Sequence, residues 1–222
     1  GYISNIRAVN GTALYTANFA PPTNPLTAIS GTTLLTCQSN RFKDSSGNNV
    51  AITASGAPSV TAFSPFVLAA PGAVYNQNDV SYWSGYFDGS SYLNTPDNAA
   101  YALNSGGWTF ETFANFTALP GSGNAASLAA QWYDGNLGWW FYLYNNAGTY
   151  QLYFSYSSTG TNQINISVSL PAAPTLNTWN HVAFQYIAGF GLGIYWNGTI
   201  IGSYQSVSSS FNNSTAAVQI GA

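Results

Sequence analysis

Charge is nearly missing from this sequence. Three basic and six acidic side chains make up 4% of its 222 residues, against about 25% in an average soluble domain. The basic residues, Arg7, Arg41 and Lys43, cannot build the clustered positive surface that nucleic acid requires. Nor can they build a polybasic membrane patch. Polarity is carried by Ser, Thr, Asn, Gln, Gly and Tyr, a composition that suits an extracellular or virion-exposed surface.

Cysteine and histidine each occur once, as Cys37 and His181. One cysteine excludes a disulfide within the chain. Cys37 is expected as a small buried hydrophobe in a strand, with an intermolecular bridge as the alternative. One histidine leaves a zinc site without its usual ligand set. No apolar run approaches the ~20 residues of a membrane-spanning helix, so no membrane insertion is expected. The chain begins with glycine, contains no methionine and opens on no visible signal peptide. It is therefore expected to be a processed, excised or partial sequence.

The acids are Asp44, Asp79, Asp88, Asp97, Glu111 and Asp134. Glycoside hydrolysis generally needs two carboxylates ~5–10 Å apart across the scissile bond. Glu111 is alone on its alternating segment, and the closely spaced acidic run of the sandwich-fold glucanases is missing. No nucleophile elbow accompanies His181. The chain is expected not to be an enzyme. Glu111 and His181 are expected to make structural contacts, and Asp88, before Gly89, to serve a turn.

What is present is a series of short alternating runs bounded by Gly, Asn, Pro or Ser, with 46% hydrophobic residues overall. No helix of useful length is predicted. Many short strands at regular spacing predict an all-β sandwich or barrel. Strands are predicted at Gly1–Val9, Leu34–Gln38, Val50–Thr53, Tyr82–Phe87, Ser91–Leu93 and Trp108–Phe116. Residues 54–80 are expected to be irregular. A meander follows over Ser127–Tyr133, Trp139–Tyr144 and Tyr150–Ser157, then strands at Ile164–Leu170 and from Val218. Val182, Phe184 and Tyr186 alternate with polar or small neighbours, and Ile194 and Trp196 repeat the pattern. Asn197-Gly198 signals a two-residue hairpin, whose central positions need positive φ.

Several motifs resemble the laminin-G-like, concanavalin-A-like sandwich family. They are Asp44-Ser45-Ser46-Gly47-Asn48, Phe87-Asp88-Gly89-Ser90-Ser91-Tyr92-Leu93, Trp108-Thr109-Phe110-Glu111-Thr112-Phe113, Trp179-Asn180-His181-Val182-Ala183 and Tyr195-Trp196-Asn197-Gly198. The family's closing strand resembles Gly1-Tyr2-Ile3-Ser4-Asn5-Ile6-Arg7, followed by Gly11-Thr12-Ala13-Leu14-Tyr15, which here comes first. The resemblance implies an antiparallel jelly-roll sandwich over residues 34–222. Residues 1–19 would be its displaced closing strand and residues 20–33 a Pro-rich linker. Tyr2, Ile3, Ile6 and Val9 would pair with this chain (a permuted order), with a preceding repeat or with a neighbouring subunit. Tandem repeats with this closure look most like virion and tail-associated proteins of marine phages.

Aromatics are the strongest lead to a ligand: 7 Trp, 16 Tyr and 13 Phe. Along one predicted strand Trp139, Phe141 and Leu143 share a face, and Trp140, Tyr142 and Tyr144 share the other. Tyr153 opposes Leu152, Phe154 and Tyr156 on the next. One face must be core; the other is a candidate sugar-stacking platform of Trp140, Tyr142, Tyr144 and Tyr153, with Trp132 and Tyr133 at its rim. The alternative is that both faces are covered. Some laminin-G-like relatives bind calcium at the sandwich rim, which implies Asp88, Asp97 and Asp134 as candidate ligands, although calcium needs ~6–8 oxygens. No other cofactor is expected. Sequons occur at Asn10, Asn115, Asn165, Asn197, Asn212 and Asn213. The expected function is a non-enzymatic structural or adhesion module of an extracellular or virion surface. It would assemble with neighbouring copies or adjacent repeats and present a face to cell-surface glycan. A soluble secreted carbohydrate-binding module is the alternative, and a sandwich-fold glycoside hydrolase is disfavoured.

Overall fold

The alternating runs form fifteen strands in a computed structural model that describes residues 1–66, 82–103, 105–207 and 210–221. In chain order these are β1 (Tyr2–Asn10), β2 (Thr32–Thr36), β3 (Thr53–Ser55), β4 (Ser59–Thr61), β5 (Ser84–Tyr86), β6 (Tyr92–Thr95), β7 (Gly107–Asn115), β8 (Ala125–Tyr133), β9 (Asn136–Asn146), β10 (Thr149–Tyr156), β11 (Ile164–Ser169), β12 (Trp179–Ile187), β13 (Gly191–Trp196), β14 (Thr199–Ile200) and β15 (Val218–Ile220). One 3-10 turn, Ala99–Tyr101, lies between β6 and β7. The run predicted at Val50–Thr53 is strand only from Thr53, the start of β3; the stretch expected to be irregular holds the rest of β3 and all of β4, and residues 67–80, Asp79 among them, lie outside the described residues.

The strands make two antiparallel sheets, the sandwich and jelly-roll class expected from the sequence. The first runs β14-β13-β12-β7-β1-β5-β4, with β2 also on β1; the second runs β11-β10-β9-β8-β15-β6-β3. β1 occupies the middle of the first sheet. It pairs with β7 on one side from Tyr2 to Ser4 and from Arg7 to Asn10, with a bulge between, and on the other it meets β5 through Tyr2 and Ile3 and β2 through Ile6 to Val9. The residues expected to pair a closing strand thus pair within this chain.

The core lies between the sheets and is built from every second residue of each strand. Phe110 of β7 stacks on Phe141 of β9 with centroids 4.3 Å apart, and Phe141 also meets Phe154 of β10 and Phe184 of β12. Trp108, Leu143, Leu152, Val182, Leu192 and Ile194 complete this layer, all buried. Truncating such a ring to alanine costs about 3–5 kcal/mol. Cys37 is buried in the same core, as expected, but it lies just past the end of β2 with φ 58° rather than in a strand.

The outer face of the first sheet is covered by the chain itself. After β1 the backbone turns and runs back across the sheet as a strap. Leu14 N–H donates to Thr109 Oγ1 at 3.0 Å, Tyr195 OH donates to the Tyr15 carbonyl at 2.9 Å, and Phe19 N–H donates to the Gly198 carbonyl at 2.8 Å. Tyr15 also exchanges hydrogen bonds with the Gln185 amide. Residues 20–33, expected from the sequence to be a Pro-rich linker, continue the strap as far as β2, which takes Thr32 and Thr33: Leu26 is buried and its N–H donates to Asn5 Oδ1 at 2.8 Å. The predicted hairpin shapes this contact. Asn197 and Gly198 both have positive φ, 50° and 77°, and a side chain at Gly198 would collide with the Phe19 carbonyl.

Candidate functional site

The two outer faces differ: among the described residues the strap roofs the first, while Trp132, Trp140, Tyr144 and Tyr153 on the second are only half-buried. Under the roof of the first sheet lies Glu111, 0% exposed. Its Oε1 accepts from Arg7 Nε at 2.9 Å and Nη2 at 2.6 Å; its Oε2 accepts from Tyr15 OH at 2.6 Å and lies 3.0 Å from His181 Nε2. Arg7 Nη1 donates onward to the Thr27 carbonyl at 2.9 Å. Burial alone would raise the Glu111 carboxyl, but the hydrogen bonds from His181 and Tyr15 and the charge of Arg7 hold it below its ordinary value. Burial, reinforced by Glu111, pushes the Tyr15 phenol well above its own. Each carboxylate oxygen is thus occupied by this chain's own donors. The sequence marked Glu111 and His181 as structural but did not reveal Arg7 and Tyr15. The available signal was scarcity, since a buried acid in a chain with three basic residues has few partners to choose from.

On the second sheet the predicted aromatic residues come together. β8, β9, β10 and β11 are neighbours, and Trp140, Tyr142 and Tyr144 of β9 oppose Ser155, Tyr153 and Gln151 of β10. Trp140 and Tyr142 stack at 4.0 Å, Tyr142 and Tyr153 at 5.0 Å; Tyr144 meets Tyr153 edge-on at 5.3 Å, and Trp132 lies 6.3 Å from Trp140. Trp132, Trp140, Tyr144 and Tyr153 are half-buried, while Tyr142 is only 5% exposed because its neighbours stack on it. Tyr142 therefore supports the platform more than it presents a surface. Its phenol is raised by burial and pairs with Ser155 Oγ at 2.9 Å. Tyr133 stands apart, 70% exposed at the β8–β9 hairpin tip, with no ring contact among the described residues.

Polar groups that the sequence reading did not single out surround the rings. Ser155 Oγ donates to Asn165 Oδ1 at 2.7 Å, Gln163 Nε2 to the same oxygen at 2.8 Å, and Gln151 Nε2 to Ser169 Oγ at 3.1 Å. Trp140 Nε1 donates to Ser127 Oγ at 3.0 Å. β8, β9, β10 and β11 carry no charged residue. The face therefore offers flat apolar rings, fixed by their own stacking, beside amides and hydroxyls. That combination holds the apolar face of a pyranose and bonds its hydroxyls.

The three candidate calcium ligands do not gather. Asp88 is a turn residue: Oδ1 accepts from the N–H of Ser90 at 2.9 Å and of Ser91 at 2.8 Å. These bonds and the serine hydroxyls lower its carboxyl to about 2. Asp97 accepts from Gln131 Nε2 at 2.9 Å, and Asp134 lies exposed in the β8–β9 hairpin turn. Among the described residues no group of three His, Cys, Asp or Glu side chains could hold a metal ion. Of the sequons, Asn165, Asn197 and Asn213 are exposed and Asn115 is buried.

Residues 87–222 match the Laminin_G_3 family, described as the concanavalin A-like lectin/glucanases superfamily. Curated proteins gave no match by sequence. Among solved structures, the binding domain of Paraclostridial Mosquitocidal Protein 1 is similar with a TM-score of 0.59 and 16% identity, over 83% of this chain and 42% of that one. A botulinum neurotoxin type C structure, described with cell entry dependent on two ganglioside molecules, gives 0.53 and 15% over 85% and 42%. The binding domain of botulinum neurotoxin DC in complex with SialylT gives 0.55 and 16% over 85% and 42%. The chain thus spans well under half of each of these structures, and at such identities the likeness is one of fold.

Proposed function

We propose that this chain, which belongs to the concanavalin A-like lectin/glucanases superfamily, is a non-enzymatic carbohydrate-binding module. It works as an adhesion element on an extracellular or virion surface. Its ligand is a neutral glycan held on the outer face of the second sheet, with Trp140, Tyr144 and Tyr153 as the contact rings and Trp132 at the rim. The observation that carries this reading is the stacked, half-exposed aromatic row set among uncharged amides. The toxin structures are described with gangliosides and SialylT. No Lys or Arg lies on β8–β11, so the ligand proposed here is uncharged. Glu111, expected from the sequence to make a structural contact, has both oxygens occupied under the strap, which supports a non-enzymatic role. The reading needs no cofactor.

Assembly with neighbouring copies or adjacent repeats is a second reading, favoured by β11. This edge strand carries neither charge nor proline, the usual devices that block edge pairing.

The test is a glycan array with the wild-type chain and Trp140→Ala. Wild type should bind at least one neutral glycan, and the variant should lose about tenfold or more in affinity, as expected for a stacking anchor worth more than about 1.4 kcal/mol. No neutral glycan bound, or equal binding by the variant, would overturn the proposal. Light scattering tests the second reading, which a monomer at high concentration would sink.

A further inference from the structure

A second row of aromatic residues crosses the first sheet, beyond the end of the strap. Asn115, the last residue of β7, has Tyr2 of β1 and Trp179 of β12 as its two Cα partners. Directly opposed residues project to the same face of a sheet, so the Asn115 side chain is flanked by a phenol and an indole. Tyr86 of β5 extends the row beside Tyr2, with ring centroids 5.0 Å apart. Phe63 lies against both flanking rings, 4.9 Å from Tyr2 and 5.2 Å from Trp179. These rings close over Asn115, which is 1% exposed.

Both side-chain atoms of Asn115, Oδ1 and Nδ2, are buried without a hydrogen-bond partner, and so is Trp179 Nε1. An unpaired buried amide is costly, and native folds leave few of them. Here an acceptor and two kinds of N–H donor are unsatisfied on adjacent strands between aromatic rings. We infer that this row is a second saccharide subsite, on the sheet opposite to the proposed platform, and that Phe63 is its movable cover. One sugar hydroxyl would donate to Asn115 Oδ1 and accept from Nδ2, and a neighbouring hydroxyl would accept from Trp179 Nε1. The apolar face of the same ring would rest on Tyr2 or Trp179. Phe63 is 42% exposed and can leave at little cost in core packing. The module would then be bivalent, with one site on each outer face. This rests on the reading of the chain as a saccharide-binding module.

The test is a nitrogen-edited NMR titration of the full chain with the methyl glycosides of glucose, galactose and N-acetylglucosamine, following the indole N–H resonances. In a Trp140→Ala background, which removes the platform, at least one glycoside should shift the Trp179 indole resonance saturably. Asn115→Leu, apolar and with the same branched heavy-atom skeleton, should abolish that shift. Phe63→Ala, on the surface and so not expected to disturb folding, should tighten binding about threefold, because an aperture that is always open removes the population penalty on the competent state. Shifts at the Trp140 and Trp132 indoles of the wild type with none at Trp179 would overturn the second subsite and leave the platform reading standing. Shifts at neither would overturn both. A Trp179 indole that exchanges with a bound water and ignores all three glycosides would also overturn the inference, making the polar row a water site.

Discussion

Arg7 and Glu111 face each other as Cα partners across β1 and β7, and the guanidinium reaches one carboxylate oxygen from both Nε and Nη2, at 2.9 and 2.6 Å. Two charges buried this deeply hold each other in place, and neither can be removed alone without stranding the other. Arg7→Ala should therefore destabilise the fold by about 3–5 kcal/mol, read from urea unfolding. A loss under ~1 kcal/mol would mean that water reaches Glu111 and that the roof over it is loose.

The same carboxylate sets a pH dependence. Its folded pKa lies below its unfolded value, so its contribution is complete above the unfolded pKa of about 4.3. It is lost as pH falls through the lowered folded value. Unfolding midpoints measured from pH 6 downward should decline below roughly pH 4.3, and Glu111→Gln should flatten that decline. An equally steep decline in the variant would assign the acid sensitivity to other carboxylates.

Binding at the aromatic platform should be indifferent to salt. No charged residue lies on the strands that form it, and screening acts only on charges. Affinity for a neutral glycan, measured by calorimetry, should change less than about twofold between 50 and 500 mM salt. Tyr142→Phe should weaken binding only mildly, since that ring is covered and its hydroxyl bonds Ser155. A steep salt slope would point to an anionic ligand elsewhere on the surface.

Cys37 should be silent in the native state. Burial pushes its thiol up to about 12, and only the thiolate is reactive. Iodoacetamide at pH 8 should leave it unmodified for hours and label it at once in denaturant. Rapid native labelling would show that the core around it opens.

Local patterns exposed much of this fold and long-range pairing did not. β7, β8 and β10 fall within a residue or two of the alternating runs that predicted them, β9 starts three residues earlier than its run, and Asn197-Gly198 takes the positive φ values its turn requires. Period-2 alternation also divided Trp139, Phe141 and Leu143 from Trp140, Tyr142 and Tyr144 correctly, because the pleat forces that division. β2 runs over Thr32–Thr36 rather than Leu34–Gln38, β3 meets the run predicted at Val50–Thr53 only at Thr53, and β4 falls in the stretch expected to be irregular. Three-residue strands carry too little alternation to signal themselves. The partners of β1, the strap over Glu111 and the unpaired Asn115 were not legible. Each depends on residues far apart in the chain, 104 positions for Arg7 and Glu111 and 180 for Tyr15 and Tyr195, and nothing local encodes which of many strands will be neighbours. The polar groups around the platform were hidden for the same reason: Gln151, Ser155 and Asn165 are ordinary polar residues until β10 and β11 pair beside the rings.

The central place of β1 also carries a kinetic consequence. Its contacts with β7 link residues such as Arg7 and Glu111 across 104 positions of chain, and such closures are slow because the loop entropy is lost before the contacts form. Until β1 docks, both β7 and β5 present a bare edge to the solvent. In a chain with so little charge, repulsion between molecules does little to protect those edges. Refolding yield should therefore fall with protein concentration more sharply than the stability of the finished sandwich would suggest. The strand that completes the sheet is also the one whose delay exposes it.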